Sequence, residues 1–115
     1  MIKRLGAGKR LSMATIHGGL VYLAGQVPDD LSVGVEAQAA QVLSKIDALL
    51  KEAGTDKSSI LTATVWLPNI AEFATFNTVW DAWVPVGASP ARACVEARLA
   101  SPSIRVEIAA IAAIP

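Results

Sequence analysis

The segment Ile104–Ala113 limits most what this chain can fold into. Read as a strand, it sets Ile104, Val106, Ile108 and Ala110 on one side and Glu107, Ala109, Ile111 and Ala113 on the other. Apart from Arg105 and Glu107, both sides are apolar. Such a strand belongs in the middle of a structure covered on both faces, and a subunit contact is the expected second cover.

Composition points the same way. The chain has 115 residues, of which 53% are hydrophobic and 17% charged, and its mean hydropathy is +0.46. This length suits one domain, residues 1–115, with one core and no room for a second. So small a protein has too much surface to hide that apolar excess within one protomer, so part of it is expected in a subunit interface. Ten basic and ten acidic residues cancel, and only Lys3, Arg4, Lys9 and Arg10 form a loose basic group. That balance lacks the electrostatic footprint of a nucleic-acid binder. The N-terminus has no continuous apolar stretch of the signal-peptide kind, and no segment reaches the length of a membrane span, so a cytoplasmic location is expected. Cys94 is the only cysteine, which excludes an intrachain disulfide and a cysteine-based metal framework.

The remaining patterns divide the chain into strands and two helices. A short strand is expected around Ile2 to Leu5. Ser12 to Ile16 and Leu20 to Ala24 follow as a hairpin around His17-Gly18-Gly19. Val35, Ala39, Val42, Leu43, Ile46, Leu50 and Ala53 recur at helical spacing, and Gly54 ends that helix. From Ile60 to Leu67 the period changes to that of a strand, which Pro68 stops. Asn69 is placed to cap a second helix, with Glu72 at capping-box spacing and Ile70, Phe73, Phe76, Trp80 and Trp83 as its buried stripe. Ala91 to Ala97 and Ile104 to Ala113 read as the final strands, joined through Ala100-Ser101-Pro102-Ser103. The sum is an α+β sandwich, a mixed sheet with both helices on one face.

The chemistry-bearing residues gather near the C-terminus. Strand alternation sets Arg92, Cys94, Glu96 and Arg98 on one face and Ala93, Val95 and Ala97 on the other. Glu107 lies in an apolar strand, where a buried carboxylate needs a cation, hydrogen-bond donors or a water. Arg92, Arg98 and Arg105 are the candidate cations. Spacing alone fits a structural ion pair as well as a site. Trp66, Trp80 and Trp83 could suggest base stacking, but core packing explains them better when basic residues are so few. His17, beside two glycines, reads as a turn residue outside the site.

The run PARACVEARL followed by IRVEIAAIAA resembles the C-terminal signature of the Rid family, the reactive intermediate deaminases (YjgF-like, also called L-PSP endoribonucleases). Gly25-Gln26-Val27-Pro28 after an apolar strand, Ala53-Gly54 at the end of the first helix and Phe73-Ala74 with Asn77 in the second are similar too. The resemblance implies a chorismate-mutase-like fold, a homotrimer with a barrel-like core and a ligand cleft at each subunit boundary. It further implies cofactor-free hydrolysis of 2-imino acids, and of enamines such as 2-aminoacrylate, to 2-keto acids and ammonia.

By that resemblance Arg92 would hold the substrate carboxylate through two parallel donors. Glu107 would position a water and take its proton. Gly25 would let backbone approach the ligand, Cys94 would be a wall atom with its backbone groups contacting the ligand, and Asn77 would lie near the cleft. Two departures suggest a divergent branch with altered substrate preference. No tyrosine stands near Leu11, and Ala24 occupies a position where relatives often carry serine. Two other readings compete: a non-catalytic carboxylate-binding or sensor module that keeps the Arg92 clamp, and the endoribonuclease or translation-inhibitor role, which the neutral charge disfavours.

Overall fold

The computed structural model describes residues 1–115. Strands β1 (Lys3–Leu5), β2 (Ala14–His17) and β3 (Leu20–Gln26) precede helix α1 (Val35–Ala53). Strand β4 (Ile60–Leu67), helix α2 (Phe73–Trp83), β5 (Ala91–Glu96) and β6 (Glu107–Ala113) follow. They build one six-stranded sheet in the order β1-β2-β3-β6-β4-β5. Only the β4–β5 pairing is parallel, so the sheet is mixed and the molecule is an α+β sandwich with both helices packed on one face.

The doubly apolar strand takes the central place its pattern demands. β6 runs antiparallel to both β3 and β4. Its Ile108, Ala110 and Ala112 are buried with Val21, Leu23, Ala63, Val65 and Leu67 against Val42, Leu43, Ile46, Leu50, Phe76 and Trp80 of the helices. Each large aliphatic side chain buried there contributes about 1.5–3 kcal/mol. Gly54 ends α1 with a left-handed φ of 89°, and its N–H donates to the Lys51 carbonyl, satisfying an otherwise orphaned acceptor. The opposite face of the sheet has no layer over it within the chain. Tyr22 is exposed, and with Thr62, Thr64, Ala109 and Ile111 it lines a shallow depression of about 240 Å³. No helix is long and apolar enough to cross a membrane.

Several element boundaries differ from those the periodicity predicts. The final strand begins at Glu107, not Ile104, because a side chain from α1 captures the backbone ahead of it. The Gln38 amide, fully buried, donates to the carbonyls of Val33 and Ser103 at 3.0 and 2.9 Å and accepts the Arg105 N–H at 2.7 Å. The preceding strand stops at Glu96 rather than Ala97. The hairpin strands run from Ala14 to His17 and from Leu20 to Gln26 rather than over 12–16 and 20–24. Asn69 does act as a cap, accepting the Ala71 N–H at 3.0 Å, but of a 3₁₀ turn over Ile70–Glu72 that precedes α2. Glu72 forms no capping box, because its carboxylate lies 2.5 Å from the Arg105 guanidinium. Ile70, in that turn, and Phe73, the first residue of α2, are exposed rather than part of the buried stripe, which begins at Phe76.

Gln38→Leu keeps the volume and removes all three hydrogen bonds, leaving the Arg105 N–H and the Ser103 and Val33 carbonyls without their partner. The expected loss is about 2–4 kcal/mol, read as a lower urea midpoint at unchanged slope.

Candidate active site

Arg92 lies on the edge strand β5, paired with Ala63, and its side chain turns toward α2. There its Nη1 donates to Asn77 Oδ1 at 2.9 Å. The guanidinium carbon stands 4.9 Å from the Trp80 ring centre, 5.7 Å from Phe76 and 5.8 Å from Phe73. Aromatic faces attract a cation without neutralising it. The ion pairs of the chain are Lys45–Asp29 and Arg105–Glu72, so no carboxylate pairs with Arg92. A half-buried guanidinium, oriented by one amide and cradled by rings, keeps most of its five donors for a ligand. This aromatic cradle was invisible as a site in the sequence, where the same spacing signals only a buried helix stripe.

Cys94 follows on the same side of β5, paired with Val65. Burial pushes its thiol pKa up, and the Arg92 charge only partly opposes this. It is therefore a protonated wall group at neutral pH rather than a poised nucleophile. Glu96, at the end of the strand, is occupied locally and accepts the Ile70 N–H at 3.2 Å. Arg98 lies beyond β5, so the predicted four-residue face ends at Glu96.

Glu107 belongs to a different surface. It pairs with Trp66 across β6 and β4, whereas Ile108 pairs with Val65. Alternation therefore turns Glu107 to the open face of the sheet and away from the helices. None of the three candidate arginines reaches it: Arg105 binds Glu72, and Arg92 and Arg98 form no ion pair. The carboxylate instead overhangs Gly25. A bulge sets Ala24 and Gly25 against the single residue Ala109, between the Leu23–Ala110 and Gln26–Ile108 pairs. A Cβ at Gly25 would overlap Glu107 Oε2 and stand 3.0 Å from its Cδ. Glycine here permits close approach to a carboxylate that no cation holds.

Within one chain the predicted site residues thus fall into two groups. Arg92, Asn77 and Cys94 meet at the helix side of the β5 edge. Glu107, Gly25 and Ala24 meet on the open face of the sheet. His17 is the exposed last residue of β2, paired with Leu20, rather than part of the Gly18-Gly19 turn, and it joins neither group. No three His, Cys, Asp or Glu side chains converge as metal ligands.

The family model described as Endoribonuclease L-PSP matches residues 1–114. A RutC family protein of Haemophilus ducreyi is 48% identical over 114 residues, covering 99% of this chain and 97% of that one. A Salmonella typhimurium protein named 2-iminobutanoate/2-iminopropanoate deaminase is 34% identical over 102 residues, covering 83% and 80%. The crystal structure of a YjgF family member from Neisseria meningitidis superposes with a TM-score of 0.97 at 44% identity, covering 100% of this chain and 96% of that one. The six-stranded sheet with its two helices is therefore this chain's version of a shared architecture, and the chain belongs to the Rid family, also known as the YjgF, RutC or L-PSP family.

Proposed function

We propose that the protein hydrolyses 2-imino acids and their enamine tautomers to 2-keto acids and ammonia, at clefts between copies of the chain in a homotrimer. The observation that carries this reading is the state of Arg92: a half-buried, ring-cradled guanidinium oriented by Asn77 and lacking a carboxylate of its own. A small carboxylate ligand supplies the missing charge through two parallel N–H···O bonds. The deaminase name of the Salmonella relative supports the same substrate class.

Because Arg92 and Glu107 emerge on opposite faces of one sheet, the site combines the Arg92 group of one copy with the Glu107 group of another. The uncovered sheet face, with Tyr22 exposed and Ala109 and Ile111 partly exposed, is the surface for that contact. In the reaction, Arg92 fixes the carboxylate and hence the plane of the adjoining C=N bond. Glu107 holds a water against the imine carbon and takes a proton as the water oxygen attacks. Glu107 passes that proton to the imine nitrogen, which becomes the amine of a tetrahedral carbinolamine. Glu107 then takes the hydroxyl proton as the keto C=O forms and delivers it to the amine nitrogen, so that the C–N bond breaks, ammonia leaves and the carboxylate is regenerated. The substrate is already electrophilic, so placement supplies most of the rate. The protonated Cys94 thiol takes no covalent part.

The test generates a panel of 2-imino acids with an amino-acid oxidase and traps survivors as semicarbazones. The protein is expected to lower the trapped yield. Arg92→Ala should reduce kcat/KM by about 10³-fold, and lysine should restore little, because an ammonium lacks the planar fork. No effect across the panel, with 2-keto acids still binding, would replace the enzyme with a carboxylate-binding module.

A further inference from the structure

We infer that the imino acids this site prefers carry an apolar side chain of isobutyl or thioether size, and that Phe73 is the residue that selects them. The inference rests on the deaminase reading for its chemistry, but its geometry starts from the Arg92 clamp alone. Three rings surround the guanidinium, and they are not equivalent. Phe76 is fully buried and Trp80 is 6% exposed, whereas Phe73 is 40% exposed with its ring centre 5.8 Å from the guanidinium carbon. Phe76 and Trp80 therefore build the floor, and Phe73 is the ring left for a ligand. A carboxylate held in a bidentate pair places its carbon about 4 Å from the guanidinium carbon, and the substituent on the next carbon then comes within reach of Phe73.

The sheet face that carries Glu107, which the proposed assembly brings opposite Arg92, has exposed apolar residues as well. Met13 accepts the Ala24 N–H through its carbonyl at 2.8 Å, and its neighbour Ala14 is buried on the helix side, paired with Leu23. Met13, just before β2, packs its side chain beside Gly6 and stays 39% exposed; continuing the alternation of β2 points it to the face that carries Glu107, and Leu11 nearby in the chain is 50% exposed. Trp66, the strand partner of Glu107, lies on this face too. Single exposed apolar residues are ordinary on any surface. Here Phe73 flanks Arg92, and Trp66 stands opposite Glu107 in the sheet. A methyl substituent would leave Phe73 and Met13 in water, and a charged one would lose its hydration against them.

The experiment compares kcat/KM for the imines of leucine, methionine, alanine and glutamate, with wild type and Phe73→Ala. Wild type is expected to favour the leucine and methionine imines over the alanine and glutamate imines by about ten-fold or more, and Phe73→Ala should shrink the leucine-to-alanine ratio by about ten-fold. The ratio cancels any general loss from disturbing Arg92. Equal rates across the panel, or a Phe73→Ala loss that leaves the ratio intact, overturns the inference while the deaminase reading stands. Calorimetry with 4-methyl-2-oxopentanoate and pyruvate separates the two claims. If neither imine turns over, but the larger keto acid binds more tightly and Phe73→Ala removes that difference, the apolar subsite stands without the enzyme. Failure of both keto acids to bind overturns it.

Discussion

An equal mixture of Arg92→Ala and Glu107→Gln chains, unfolded and refolded together, is expected to recover roughly a quarter of wild-type imine hydrolysis, although either variant alone is nearly inactive. The fraction follows from the two faces of the sheet. Each site needs an arginine from one copy and a glutamate from the next. With random assembly, half the copies in the arginine position still carry Arg92, and half of those meet a neighbour that still carries Glu107. The same fraction holds for any ring in which each site spans one boundary. A site within one chain gives a different answer, because every chain in the mixture lacks one of the two groups, and no recovery follows. Each variant must first elute at the wild-type oligomer size. Arg92 has only Asn77 as a side-chain hydrogen-bond partner and Glu107 forms no ion pair, so neither change removes a buried structural pair.

This division of the site marks the limit of what the sequence could reveal. Alternation in β5 correctly put Arg92 and Cys94 on one side, and the apolar run of β6 correctly demanded a central strand. The relation between the two strands was not legible. β4 separates them in the sheet, and the face on which Glu107 lies depends on a register set by pairing with Trp66. Strand patterns name three arginines near Glu107 in the chain but not whether any of them reaches it in the fold. Arg105 turned instead to Glu72 across the fold. The late start of β6 has the same origin: no periodicity signals that a glutamine at position 38 will hold the backbone around Ser103 and Arg105. Elements set by their own local pattern, such as α1 with its Gly54 cap, were read nearly to their ends. The second helix departs from its local pattern in its first turn, where the contact of Glu72 with Arg105 overrides capping.

Gly25→Ala is expected to lower kcat by about 10²-fold with KM little changed, because it moves the Glu107 carboxylate without touching the Arg92 clamp. The added Cβ would overlap Glu107 Oε2, the far end of a flexible side chain, so the carboxylate can swing aside and the backbone need not. Gly25 is not among the glycines with positive φ, so alanine adds no conformational strain, and stability should stay within about 1 kcal/mol of wild type. A packing role for the glycine predicts the reverse, a lower midpoint of unfolding with activity falling only in step. The double variant completes the argument. If Gly25→Ala acts only through the carboxylate, then adding it to Glu107→Gln should remove little further activity, because the group it displaces has already lost its capacity to accept the proton of water. Full additivity of the two losses would mean that Gly25 serves the ligand directly, through its backbone, and that the position of Glu107 is not what the glycine protects.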